Sequence, residues 1–104
     1  MSYLLIHPED LENLLTMEDA VKAVDLAYGG AAKFPVIAAP RRRVHSPAGV
    51  RLSTFPGGVP QLGVIGVTEH AEVVKHEQAV QHYEHREHQV SLLHDGETAE
   101  LLAV

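Results

Sequence analysis

The chain has 104 residues, a formal net charge of −6 with its eight histidines neutral, and no cysteine or tryptophan. That length allows one domain, which excludes a kinase, a TIM barrel, or a dinucleotide-binding domain joined to a substrate domain. The lack of cysteine excludes disulfides and thiolate chemistry, and the excess of 14 acidic over 8 basic residues argues against nucleic acid as a partner.

The first thirty residues predict a short strand and two helices. Tyr3–Ile6 is an apolar run with neither the basic flank of a signal peptide nor the length of a membrane span, so we expect a cytoplasmic protein without membrane contact. Pro8 and the acidic residues after it are typical of a helix start. Thr16 and Asp19 form the pattern of a capping box for a second helix, which ends at Gly29-Gly30.

After the second helix, prolines and glycines separate short β-type segments. Three strands are predicted, at Arg42–His45, Val50–Phe55 and Leu62–His70. A turn is predicted at Gly57–Pro60. In the second strand, alternation places Val50, Leu52 and Thr54 on one face and Arg51, Ser53 and Phe55 on the other.

The last third of the chain predicts two further strands. The turn dipeptide Asp95-Gly96 lies between Gln89–His94 and Thr98–Val104. The charged segment Glu72–His88 has mixed spacing and fits an exposed helix or a long loop. Together the elements predict an α+β fold, with N-terminal helices packed on a mostly antiparallel sheet.

Histidine is concentrated in the second half of the chain. Six of the eight lie between positions 70 and 94, interleaved with glutamates: His70, His76, His82, His85, His88 and His94. Imidazole and carboxylate groups suit zinc, nickel, copper or non-haem iron, so His82, His85 and His88 are candidate ligands of a divalent metal. Their spacing matches no specific metal motif, and a solvated surface or acid–base histidines are the alternatives.

Two further groups of polar residues are candidates for a site. In a strand, Thr68, His70 and Glu72 share one face, and burying such groups without partners costs several kcal/mol, so they predict either a polar pocket or an exposed surface. The cluster Arg41–Arg43, with His45 and Arg51, is the basic one in this sequence. Alternation places Arg42 opposite its two neighbours, where it serves either as solvated charge or as an anchor for a carboxylate or phosphate.

A series of motifs resembles the ornithine cyclodeaminase / mu-crystallin family. In chain order they are Leu14–Val21, Pro40–Arg43, Gly49–Leu52, Phe55–Gly57, Leu62–Val67 and Leu92–Ala103. The resemblance covers nearly all of the chain apart from about Ala71–His88. It implies a single domain over residues 1–104, similar to the substrate-binding and dimerising N-terminal domain of these proteins.

The resemblance also implies what this chain lacks. The family's nicotinamide-binding domain has no counterpart here, because no Gly-x-Gly-x-x-Gly fingerprint occurs. NAD and other organic cofactors are therefore not expected, while a divalent metal stays open. The family's Pro-x-Arg implies that Arg42 binds a substrate carboxylate. Thr68 stands where the family has an active-site lysine, and a hydroxyl cannot protonate or polarise an imine as an ammonium does.

Three hypotheses of function follow. In the first, the domain is a cofactor-independent lyase or isomerase/cyclase that moves a proton on a small carboxylate-bearing molecule. Arg42 and Thr68 would bind that molecule, and His70 with Glu69 or Glu72 would be catalytic. In the second, the chain is a non-catalytic binding or assembly subunit of a separate protein partner. In the third, it is a histidine-rich metalloenzyme. We also expect a homodimer, since the resemblance implies pairing of the sheet across a two-fold axis and this would cover an exposed sheet edge.

Overall fold

The computed structural model describes the backbone of residues 2–30, 32–77 and 80–104, and their side chains apart from residues 76–88. Two helices precede six strands. The helices are α1 (Pro8–Leu14) and α2 (Met17–Gly29). The strands are β1 (Ile37–Ala38), β2 (Arg42–His45), β3 (Val50–Val59), β4 (Val64–Glu77), β5 (Val80–Asp95) and β6 (Leu101–Ala103).

Reciprocal hydrogen bonds begin helix α2 where the capping box was predicted. The Thr16 hydroxyl accepts a hydrogen bond from the Asp19 N–H, and the Asp19 carboxylate accepts one from the Thr16 N–H, both at 3.1 Å. The Thr16 backbone N–H and then its side chain lower the pKa of Asp19, because they stabilise the ionised carboxylate. Both N-terminal helices are therefore confirmed. Within the described residues, no helix has the length and apolar character needed to cross a bilayer.

The sheet is antiparallel in all of its named strand pairs. Its order is β1–β3–β4–β5–β6, and β2 also pairs with β3. The predicted strand at Tyr3–Ile6 contributes a single parallel bridge, between Leu4 and Ala103. The predicted bounds of β2 are confirmed, and the α+β class with them.

The turn predicted at Gly57–Pro60 is wrong in position. Gly57 and Gly58 continue β3, where they pair with Gly66 and Ile65 of β4 and also with β1. The chain turns three residues later, in a 3-10 segment Pro60–Leu62 that ends at Gly63 with a φ of 69°. Glycine is suited to that left-handed conformation because it has no Cβ.

The prediction for Glu72–His88 is also wrong. Its described residues, 72–77 and 80–88, are in strands: they belong to β4 and β5, which pair from Val64↔Asp95 to Glu77↔Val80. A register shift between His70 and Glu72 marks a bulge in this pairing. The sequence did not predict these strands because the segment is rich in charged residues, which are depleted in sheets.

The turn between β5 and β6 is confirmed at Asp95-Gly96. The Asp95 carboxylate accepts hydrogen bonds from the backbone N–H groups of Glu97, at 2.8 Å, and Thr98, at 3.0 Å. These donors, Thr98 first and then Glu97, lower the pKa of Asp95. The Asp95 charge is therefore engaged in the turn.

Apolar side chains remain uncovered in this chain. Among the described residues no hydrophobic residue is buried. The two buried residues are polar or charged: Ser53, 1% exposed, and Glu72, 2% exposed. A cleft of about 380 Å³ lies between α2 and the β1 edge of the sheet, lined by Ala23, Ala27 and Val59 among others. The Cα radius of gyration is 16.6 Å, larger than the ~13 Å typical of a compact domain of this length. The best-packed part of the chain is thus a polar cluster on the sheet.

Candidate functional site

One surface of the sheet carries most of the candidate site residues, and we call it the polar face. Residues paired across antiparallel strands point to the same side, so the register defines its members. On β3 and β4 it consists of Arg51, Ser53, Phe55, Thr68, His70 and Glu72, and on neighbouring strands of Arg43, His45, Gln89 and Ser91. The two alternations predicted for residues 51–55 and 68–72 are confirmed, and they meet on this face.

An ion pair lies at one end of the polar face. Arg51 donates through Nε to Glu72 Oε1 at 2.6 Å, and its Nη2 also contacts that oxygen. The Glu72 side chain is 2% exposed and that of Arg51 13% exposed. His70 Nε2 lies 3.9 Å from the same carboxylate oxygen. A buried carboxylate thus stands behind an imidazole that is 20% exposed.

Aromatic and cationic groups continue the face from His70. The rings of His70 and Phe55 are stacked, with centroids 5.3 Å apart and an angle of 20° between planes. The Arg41 guanidinium carbon lies 5.1 Å from the Phe55 ring centroid, which is cation–π distance. Arg41 therefore lies on the polar face, beside the group that flanks His70.

A hydroxyl pair and an open cleft follow Phe55 along the sheet. The Thr68 and Ser91 hydroxyl oxygens are 2.7 Å apart and hydrogen-bonded. Both residues line a cleft of about 280 Å³, together with Phe55 and glycine and aliphatic residues of β3, β4 and β5. The polar face therefore joins an apolar cleft to an imidazole, a guanidinium and two hydroxyls.

Ser53 lies between these groups, in register with Arg43 and His70. Its hydroxyl is buried, and among the described residues it has no hydrogen-bond partner. A buried hydroxyl without a partner costs about 1–3 kcal/mol of desolvation.

Replacing Ser53 by alanine is therefore expected to leave the free energy of unfolding unchanged or to raise it, by up to about 1 kcal/mol. Urea denaturation at a fixed protein concentration measures the change. A loss of more than about 1 kcal/mol would show that the hydroxyl makes a stabilising hydrogen bond. Ser91→Ala is the matched comparison: its hydroxyl is hydrogen-bonded to Thr68, so its loss should lower the free energy of unfolding relative to Ser53→Ala.

The strand register places the predicted site residues on two opposite faces of the sheet. Thr68, His70 and Glu72 lie on the polar face, but Glu69 and Arg42 lie on the opposite face, each in register with Thr54. Arg42 is exposed there. The structure therefore brings His70 to Glu72 and not to Glu69, and Arg41 rather than Arg42 to the side of His70.

The proposed metal ligands His82, His85 and His88 have their backbone in β5, but their side chains lie outside the described part of the chain, as does that of His76. Within the described residues, no group of three His, Asp or Glu side chains is placed to hold a metal ion.

Sequence reasoning missed the Arg51–Glu72 pair, the Arg41–Phe55–His70 arrangement and the Thr68–Ser91 pair. Alternation showed which residues share a face of one strand. It could not show which residues of two strands lie opposite each other, because that depends on register over separations of 21 and 23 residues.

Element order and register define an α+β fold of the kind found in ornithine cyclodeaminase-like proteins. A solved structure with this fold is the probable ornithine cyclodeaminase from Bordetella pertussis Tohama I, which superimposes with a TM-score of 0.73 at 22% sequence identity. The match covers 98% of this chain and 29% of that one, so the chain spans less than a third of that protein and fits an N-terminal domain only. No protein-family model and no curated protein sequence matches the chain.

Proposed function

We propose that the polar face binds a small carboxylate-bearing molecule and that His70 moves a proton on it, without a nicotinamide cofactor. Cyclisation, isomerisation and dehydration are reactions that such a site can catalyse. The observation that carries the proposal is the His70 imidazole, partly exposed and placed 3.9 Å from the buried Glu72 carboxylate. Histidine is the side chain that most often moves a proton in enzymes, and a carboxylate near the imidazole is a common feature of such sites.

The anchor for the carboxylate in this proposal is Arg41. Its guanidinium lies beside Phe55, whose ring stacks on His70. Arg51 is engaged with Glu72 and serves to hold that carboxylate in place. Glu72 is therefore a positioning residue, Arg41 and Thr68 bind the ligand, and His70 is the catalytic residue.

Exchange of a carbon-bound proton with solvent tests His70 before the natural substrate is known. The probe is 2-oxopentanoate in D₂O, followed by ¹H NMR at its C3 protons. His70 takes a C3 proton, the electron pair passes into the carbonyl to form an enolate, and a deuteron returns to C3. We expect His70→Gln to lower the catalysed rate by about 10²-fold or more, and His7→Gln, a histidine in the segment before α1, to leave it unchanged. Absence of exchange above the uncatalysed rate with the unaltered chain would contradict the proposal.

Arg41 and Arg42 offer a matched pair for locating the site. They are neighbours of the same charge on opposite faces of the sheet. If the ligand lies on the polar face, Arg41→Ala weakens binding of 2-oxopentanoate by about tenfold or more, as expected for a charge-assisted hydrogen bond, and Arg42→Ala has a smaller effect. The reverse order would move the site to the face of Arg42 and Glu69.

A second candidate function, assembly with another protein chain, is supported by the uncovered apolar surface. Large exposed hydrophobic side chains of the sheet gather on the face opposite the polar face: Ile37, Val44, Val50, Ile65 and Val90. Val44 is 64% exposed. Surfaces of this kind mark interaction sites in soluble proteins. We propose that a second copy of the chain covers this face, so that the homodimer forms through the sheet.

Sedimentation velocity tests this assembly. We expect a dimer, converted to monomer or unfolded chain by Val44→Glu because a carboxylate buried in an apolar interface lacks a partner. Val24→Glu, on exposed α2, is the control and is expected to keep the dimer. A monomer that unfolds cooperatively would exclude the homodimer, and loss of the dimer in Val24→Glu alone would place the interface on the helix.

A further inference from the structure

Among the residues that the structure describes, no charged side chain lines the cleft beside the Thr68–Ser91 pair. Its volume of about 280 Å³ is just below the roughly 300–1,000 Å³ of sites for drug-sized molecules, so it suits a smaller ligand. Gly57 and Gly66, paired across β3 and β4, line it with Val59, Val64 and Leu93. A hydrocarbon chain suits such a cleft, whereas a charged group placed there would lose water without gaining a partner.

The polar end of the cleft is suited to an anion. One hydroxyl of the Thr68–Ser91 pair donates to the other, so the second hydroxyl hydrogen of the pair can be donated to a ligand. The Arg41 guanidinium, above the neighbouring Phe55 ring, adds positive charge at this end. One neutral donor and a cation are therefore available where the apolar lining stops.

Two acidic residues of the strands that line the cleft, Glu72 of β4 and Asp95 of β5, are already engaged. Glu72 is bound by Arg51, and Asp95, at the far end of β5, accepts two backbone hydrogen bonds in its turn. Neither is among the residues lining the cleft. A ligand with an ammonium group at the far end of its chain would therefore meet no carboxylate in the lining.

We infer that the ligand of this site is a short aliphatic carboxylate with an uncharged tail, an inference that rests on the proposed function and specifies its substrate class. The carboxylate lies at Thr68, Ser91 and Arg41, and the tail lies between Leu93 and the paired glycines. His70, stacked on Phe55, then stands on the carboxylate side of the ligand, because Thr68 lies between His70 and Gly66 along β4.

Binding of pentanoate and 5-aminopentanoate tests the inference, because the two acids share a carboxylate and a chain length and differ in the charge of the tail. Titrations of the full chain followed by ¹H–¹⁵N NMR give both dissociation constants and locate the shifted amides. We expect pentanoate to bind roughly tenfold more tightly and to shift the amides of Gly66, Thr68 and Leu93.

A carboxylate introduced in the cleft should reverse this preference. Leu93 Cδ1 lies 3.5 Å from the position that a Cβ on Gly66 would occupy, so Leu93 is next to the proposed tail site. Leu93→Glu would place a carboxylate there and is expected to favour 5-aminopentanoate. Leu14→Glu, at the end of α1 and 65% exposed, makes the same substitution away from the cleft and should keep the preference for pentanoate.

The outcomes separate this inference from the proposed function. If both acids bind at the cleft with equal strength, or the amino acid binds more tightly, the uncharged tail is wrong and the proposed carboxylate site stands. If Leu93→Glu does not change the preference, the orientation of the tail is wrong. If neither acid binds, the inference and the carboxylate site fail together.

Discussion

Arg51→Met is expected to lower the free energy of unfolding by about 3–5 kcal/mol, because it leaves the Glu72 carboxylate buried without its bound cation. The Glu72 side chain is 2% exposed, and two nitrogens of Arg51 contact one of its oxygens. Urea denaturation at a fixed protein concentration measures the loss, with the concentration held constant because association also changes apparent stability.

The double variant Arg51→Met/Glu72→Leu distinguishes the contribution of the ion pair to stability from the cost of leaving one buried charge without its counter-charge. Removing both charges replaces a buried ion pair by apolar side chains, which is often close to neutral, so the double variant should be more stable than Arg51→Met alone. Arg43→Met, an exposed arginine on the same face, should change stability by no more than about 0.5 kcal/mol. If Arg51→Met costs less than about 1 kcal/mol, the pair behaves as a surface salt bridge and the buried cluster described above is wrong.

Gly66→Ala is expected to destabilise the central strand pair by about 1–3 kcal/mol. A Cβ at this position would lie 2.6 Å from the backbone carbonyl oxygen of Leu92 on β5. Since that oxygen belongs to the backbone of a paired strand, the clash cannot be relieved by a side-chain rotation. β4 and β5 must separate or shift, and the cleft lined by Gly66 changes shape with them.

Gly29→Ala is the matched control for this substitution. Gly29 is the last residue of α2, and a Cβ there meets no atom within 4 Å. Alanine lowers the conformational entropy of the unfolded chain, so this variant should gain up to about 1 kcal/mol. The two glycine variants should therefore move the midpoint of thermal unfolding in opposite directions. A shift in the same direction would contradict the close approach of β4 and β5 at Gly66.

The candidate site was predictable in part. The groupings Arg51, Ser53, Phe55 and Thr68, His70, Glu72 follow from alternation within single strands, and both are confirmed. Their meeting on one face could not be predicted, since a shift of one residue in register would move either group to the other side of the sheet. For the same reason the sequence left Glu69 and Glu72 as alternative partners of His70, and the register places Glu72 on its face and Glu69 on the opposite one.

Residue patterns in the amino-acid sequence were sufficient to predict the parts of the fold that depend on near neighbours. The capping box of Thr16 and Asp19 joins residues three positions apart, and the turn at Asp95 is closed by N–H groups two and three positions away. Interactions between residues so close in sequence cost little loop-closure entropy, so the local residue pattern is sufficient to predict them.

The fold of the charged segment after His70, and the groups that it brings together, depend on strand pairing. Its residues have weak intrinsic preference for strands, but β3 pairs with β4 as far as Val73, β4 pairs with β5 as far as Glu77↔Val80, and those backbone hydrogen bonds override side-chain preference. That pairing places Glu72 against Arg51 and Thr68 beside Phe55. The chemistry of the polar face is therefore a consequence of strand register, which no local pattern in the sequence specifies.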